Sequence, residues 1–153
     1  MKNIFYFLLI FFLASCARKT GVQMSESRAL LNHAAFYVVD LKISTAFYRN
    51  IIGLDTIPEP FHDNRHTWFQ VDTHSHLHLI QGATAKSPHD KNTHLCFSVK
   101  NIATITSLLN AGGYPYENWA GEKNTMTTRV DGIHQIYFQD PDGYWIEIND
   151  DRK

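Results

Sequence analysis

Apolar and polar positions along this chain change period twice, in the same order each time. Leu31–Val39, which ends in the apolar run Phe36-Tyr37-Val38-Val39, reads as a β-strand. Asp40 follows where a helix N-cap belongs. Ile43, Ala46, Phe47 and Ile51 recur at i, i+3, i+4 and i+8, one face of a helix predicted over Leu41–Ile52 and stopped by Gly53. Leu54–Pro58 is a short strand broken by Pro58 and Pro60, and Phe61–Asn64 is a polar loop. Thr67–Val71 and Leu77–Ile80 read as strands joined around Asp72–Ser75, and Gly82–Asn92 as a loop. The pattern then restarts. His94–Val99 is a strand, Asn101 caps a helix over Ile102–Asn110, and Gly112-Gly113 end it. Tyr114–Asn118 is short and strand-like, Ala120–Met126 a loop, Thr127–Gln139 one or two strands, and Tyr144–Asn149 the last strand.

The restart is an internal repeat. His33-Ala34-Ala35-Phe36-Tyr37-Val38 and His94-Leu95-Cys96-Phe97-Ser98-Val99 share H-x-x-F-x-V, each followed by a capping residue and a helix. Each half closes on a strand with one polar residue between aliphatics, Leu77-His78-Leu79 and Ile146-Glu147-Ile148. Two βαβββ units, 31–81 and 92–149, follow, in one α+β domain spanning 29–150, because neither half covers its own core.

The turn Asp140-Pro141-Asp142-Gly143 aims the last strand. Glu147 then faces away from Ile146 and Ile148. An ionised group directed at an interior needs a cation, which an Arg, a Lys or a metal ion can supply. No Arg stands beside it in the strand, and nine histidines among 153 residues make a metal the first thing to test.

Composition narrows the partners. With 14 Lys+Arg against 15 Asp+Glu the formal charge is −1, so there is no basic footprint for nucleic acid. Lys2 precedes an unbroken apolar run, Ile4–Ala14, too short to span a bilayer and shaped like a secretory h-region. The run ends in Leu13-Ala14-Ser15-Cys16, which resembles the bacterial lipobox. That resemblance implies a signal peptide over 1–16, membrane attachment through a lipid on Cys16, a tether over 17–28 and a place in the cell envelope. The lack of an acidic run after the Cys favours the periplasm-facing side of the outer membrane. Cys96 is then the only unmodified thiol, which excludes a disulfide framework within the chain. It reads as a small buried apolar residue.

Four positions occupy equivalent places in the two halves: His33 and His94 open strands, and His78 and Glu147 lie in closing strands. Taken alone, each histidine reads as a half-buried imidazole satisfied by its neighbours. Taken together, three imidazoles and a carboxylate suit Zn, Fe, Mn, Ni or Co and leave room for two substrate oxygens. The other polar candidates read more plainly. His74 belongs to a turn, His76 and His134 to strand surfaces beside a pocket or in solvent, and Arg65 to the surface or a carboxylate clamp. Phe61–His66 and Asn118–Met126 are loops of the kind that close over sites.

Leu31-Asn32-His33, Phe47-Tyr48 with Ile52-Gly53-Leu54, Leu77-His78-Leu79-Ile80, Thr93-His94 and the run Asp140–Ile148 together resemble the vicinal oxygen chelate superfamily, which includes glyoxalase I and the extradiol dioxygenases. The resemblance implies paired βαβββ modules curled into an open barrel around a divalent metal ion (Zn, Ni, Fe or Mn) held by His33, His78, His94 and Glu147. It implies a homodimer in which each site borrows two ligands from each subunit. It also implies a small-molecule substrate chelated through two neighbouring oxygens. The chemistry implied is that of a glyoxalase-like lyase or isomerase, with Glu147 and His78 as the catalytic pair. Two alternatives stand beside it: an Fe(II) extradiol-type dioxygenase using His33, His94 and Glu147, and a non-enzymatic protein that binds a small molecule such as an antibiotic. One departure is visible, since His78 stands where glyoxalase I carries a Glu.

Overall fold

Two strands that begin with histidine, His33–Val38 (β1) and His76–Gln81 (β4), lie side by side and parallel, with Ala35 opposite His78. A parallel pair needs a crossover. Leu41–Phe47 (α1) and the π-helical turn Tyr48–Ile52 supply it, and Asp55–Ile57 (β2) and His66–Gln70 (β3) complete a sheet of order β1-β4-β3-β2. The second half repeats the plan with His94–Ser98 (β5), Ile102–Gly112 (α2), Tyr116–Glu117 (β6), Thr127–Thr128 (β7), His134–Gln139 (β8) and Trp145–Asn149 (β9). Its sheet runs β5-β9-β8-β6 with β7 on β8, and β5 and β9 are parallel. This computed structural model describes residues 29–152; the expected signal segment 1–16, with the expected lipid site Cys16, and the expected tether 17–28 lie outside the described residues. The fold is α+β, two curved βαβββ modules, and among the described residues no ladder joins the two sheets into a closed barrel.

Both predicted caps form. Asp40 Oδ1 accepts from Ile43 N at 3.0 Å and Asn101 Oδ1 from Ala103 N at 2.8 Å, each meeting a helix-terminal N–H that has no partner inside the helix. Gly53 ends the first crossover in the left-handed region at φ 84°, where a side chain would be strained. The first helix differs from expectation in its last turn, where Gly53 N and Leu54 N both donate to Tyr48 O at 3.0 Å.

The buried face of α1 also differs. Ile43 is 52% exposed, whereas Ser44 is 1% and Tyr48 0%. The reason is polar. Ser44 Oγ donates to Asp142 Oδ2 at 2.5 Å and Tyr48 Oη to Asp140 Oδ2 at 2.7 Å. Asp142 Oδ1 also accepts Val39 N at 2.7 Å. Asp140 Oδ1 braces its own turn by accepting Asp142 N and Tyr144 N, both at 2.9 Å. The turn before β9 is therefore a clasp on the first module, and it rotates α1 toward itself. Burial pushes the Asp140 carboxyl up to about 6, with the Tyr48 and backbone donors opposing and the charge of Asp142 adding. Phe36 stacked on Tyr144 at 4.1 Å and Phe47 edge-on to Tyr114 at 4.8 Å extend the contact in apolar form.

Period-2 alternation sorts the faces of both sheets. Phe69, Leu77, Leu79, Ile136, Ile146 and Ile148 have no solvent exposure and pack with the helices. The opposite faces carry His33, His66, Trp68, His76 and His78 on the first sheet, and His94, Cys96, Gln135, Tyr137 and Glu147 on the second.

Candidate metal centre

On the first sheet the His33 and His78 rings lie 6.0 Å apart, centre to centre. His33 Nδ1 donates to Asn32 Oδ1 at 2.7 Å, since an amide oxygen can only accept, which leaves Nε2 with its lone pair. His78 is 5% exposed, with the Trp68 ring stacked on it at 4.1 Å. Burial first, and then the neighbouring His66 and His33, hold the His78 imidazole below its ordinary range despite Glu59. It is thus kept in the neutral form that can ligate.

His66, expected in the loop Phe61–His66, opens β3 and lies against this ring. Its Nδ1 is 2.6 Å from His78 Nε2, and its Nε2 is 3.3 Å from Asp63 Oδ2. The register that sets Trp68 opposite His78 brings His66 onto the same face. Phe61 covers the pair, its ring 4.6 Å from that of His66. Trp68 Nε1 is buried and finds no acceptor among the described residues. His76 Nδ1 lies 3.3 Å from Asn32 O, and His74 sits in the turn with its N–H on Asp72 Oδ1 at 2.7 Å. Arg65 donates to Gln81 O at 3.2 Å and stays on the surface. His134 is on the helix side, paired with Asp150 at 2.9 Å, away from this face.

On the second sheet His94 Nε2 is 3.1 Å from Glu147 Oε2. Both groups are held from behind. His94 Nδ1 donates to the Lys91 carbonyl at 2.7 Å. Glu147 Oε1 accepts from Gln135 Nε2 at 2.6 Å, Asn149 Nδ2 at 3.1 Å and Cys96 Sγ at 3.2 Å. Burial alone would raise the Glu147 carboxyl, but donors on Tyr137, Cys96, Asn149 and Gln135 hold it below the usual range, so it stays ionised. Cys96 departs from expectation. It is an exposed residue on the Glu147 face, not a core one, because β5 alternates with Leu95 and Phe97 turned to the helices. Burial of its sulfur, then the Glu147 carboxylate, pushes the thiol up to about 12, so it acts as a proton donor and not as a thiolate.

This geometry tests the fit of a metal ion. With its Nδ1 proton engaged, His94 offers a lone pair at Nε2, and 3.1 Å away an ionised oxygen offers another. Two acceptors held face to face require a cation or a proton between or beside them, and carboxylate–imidazole sites braced by outer hydrogen bonds are typical of metal centres. The donor chemistry therefore suits a divalent ion. The four predicted residues form two pairs, however. Among the described residues no three His, Cys, Asp or Glu side chains of one chain come together closely enough to hold an ion.

The sequence profile of the Glyoxalase/Bleomycin resistance protein/Dioxygenase superfamily matches residues 30–148. The chain belongs to this superfamily. It is 25% identical over 125 residues to YwbC of Bacillus subtilis (strain 168), covering 77% of this chain and 94% of that protein. It is 24% identical over 157 residues to a lactoylglutathione lyase of Pseudomonas putida, covering 81% and 86%. Among solved structures it is similar to oxidase ChaP-H1, with a TM-score of 0.65, 26% identity and coverage of 79% of this chain and 94% of that one. Members of the superfamily are commonly enzymes, generally use divalent metals, bind small molecules and often form dimers.

Proposed function

We propose that this chain is a metal-dependent enzyme of the superfamily's glyoxalase-like type, a lyase or isomerase acting on a small substrate chelated through two neighbouring oxygens. His33 and His78 of one chain would meet His94 and Glu147 of a second copy at each shared ion. The observation that carries the reading is the pair of facing acceptors, His94 Nε2 and Glu147 Oε2, each fixed by partners on its far side. The separation of the ligands into two pairs supports the two-chain arrangement, as does the orphaned Trp68 N–H on the His33–His78 face. When bound, a divalent ion would supply a Lewis acid for the substrate's paired oxygens. The chain's own groups divide the remaining work. Glu147, held ionised by several donors, is a poor proton acceptor and balances charge. His78, whose Nε2 lies 2.6 Å from His66 Nδ1, would carry a proton only in a step in which its lone pair is not on the ion, exchanging it with His66, which Asp63 backs.

A ring-cleaving Fe(II) dioxygenase is the second reading. The two-His, one-Glu set His33, His94 and Glu147 favours it, as does the 26% identity to an oxidase. Elemental analysis, together with oxygen uptake on catechols after Fe(II) loading, separates the readings. About one divalent ion per chain is expected. Oxygen consumption with a catechol would select the dioxygenase. Failure to retain any of Zn, Ni, Fe or Mn would overturn both.

The envelope address is proposed on the Leu13–Cys16 motif, with Cys16 as the lipid-bearing residue. Palmitate label should enter the wild-type chain and be lost in Cys16→Ser; label that persists would reject the anchor.

A further inference from the structure

Lys91 lies in the turn that joins the two modules, three residues before His94. Asp90 fixes that turn, accepting Asn92 N on its side chain at 2.8 Å and Thr93 N on its carbonyl at 2.9 Å. The Lys91 carbonyl receives the His94 Nδ1 proton at 2.7 Å. Its side chain does not reach into solvent as a linker lysine ordinarily would. The ammonium forms an ion pair with Glu117 and faces Asn118 O at 3.4 Å and Trp119 O at 3.3 Å. Three rings surround it, with centres 4.9 Å away for Trp145, 5.7 Å for Tyr137 and 5.9 Å for Trp119. Trp145 also ties the linker directly, donating its indole N–H to His89 O at 3.0 Å.

An ammonium has three protons, and Glu117 and the two carbonyls take all three. Its charge is balanced by Glu117 and spread over the rings. No donor is left over for a substrate anion, so an anion-binding role does not account for the cage. What the cage does hold still is the residue whose carbonyl sets the imidazole. That carbonyl competes with the Glu147 carboxylate for a proton of His94. While the carbonyl stays in place, one proton remains on Nδ1 and Nε2 is the nitrogen aimed at Glu147.

We propose that Lys91 is a positioning residue, whose caged ammonium pins its own carbonyl on His94 Nδ1 and so fixes the tautomer and aim of that imidazole. The consequence for metal affinity rests on the function proposed above; the hydrogen bond itself does not. The test uses the full-length chain with two readouts. The first is solvent exchange of the His94 Nδ1 proton, followed by NMR without added metal. That proton is present in both the neutral Nδ1–H form and the imidazolium. The second is the dissociation constant for Zn or Ni.

In Lys91→Met, which keeps the stem and removes the charge, exchange should quicken about tenfold or more. Metal affinity should fall about 10–100-fold, the range for losing a partner behind a ligand. Lys91→Arg should recover much of both. Trp119→Leu opens the cage at a ring that is 47% exposed and should shift both readouts the same way by less, without threatening the core. Wild-type exchange protection in both Lys91→Met and Trp119→Leu would overturn the proposal. A wild-type chain that binds neither Zn nor Ni would remove the metal reading while the exchange result still decides the role of Lys91.

Discussion

A His78→Ala chain refolded together with a Glu147→Ala chain is expected to regain metal binding that neither variant shows alone. Each variant damages one of the two ligand pairs, His33–His78 or His94–Glu147. In a dimer that builds each site from one pair of each type, a mixed dimer holds one site with both defects and one with none. Random pairing makes half the dimers mixed, so about a quarter of all sites should be intact. The measurement is bound metal at a concentration that saturates the wild type but not a three-ligand site, with activity as a second readout once a substrate is found. A site completed within one chain gives the opposite result, because every chain in the mixture then carries a damaged site and nothing is regained. The same mixture of two His78→Ala preparations is the control and should recover nothing.

Asp142→Ala should cost about 2–4 kcal/mol of stability, from one buried hydroxyl and one backbone N–H left without an acceptor. The groups are Ser44 Oγ, in a residue only 1% exposed, and Val39 N. For a domain of this size that corresponds to a fall in melting temperature of roughly 10 °C. Asp142→Asn keeps one acceptor oxygen and should lose about half as much. The clasp joins the modules, so the loss should appear as one cooperative shift in circular dichroism and not as an early separate transition. A change under about 0.5 kcal/mol would mean that other contacts, such as Phe36 on Tyr144, hold α1 in place.

Much of the fold was legible because the signals are local. The H-x-x-F-x-V repeat, the two caps at Asp40 and Asn101, and alternation in Leu77-His78-Leu79 and Ile146-Glu147-Ile148 each involve residues within a few positions of one another. They predict helix starts, strand faces and the equivalence of the two halves. The face of α1 was misread for the converse reason. Hydrophobicity favours Ile43, and only a turn almost a hundred residues later supplies the acceptors that draw Ser44 and Tyr48 inward. Cys96 was misread on composition: its alternation with Leu95 and Phe97 already set it on the side of Glu147.

The chain's own letters determine which chemistry is on offer: three imidazoles and one carboxylate at matching points of a duplicated unit, each on the strand face that the helices do not cover. Only the tertiary structure decided their company. It split them into two pairs, laid His66 against His78, gave Glu147 its donors and set the Lys91 carbonyl behind His94. The physical reason is range. Periodicity and capping act along a few residues of backbone, whereas strand register, helix rotation and hydrogen bonds between side chains depend on segments that meet only once the chain has folded.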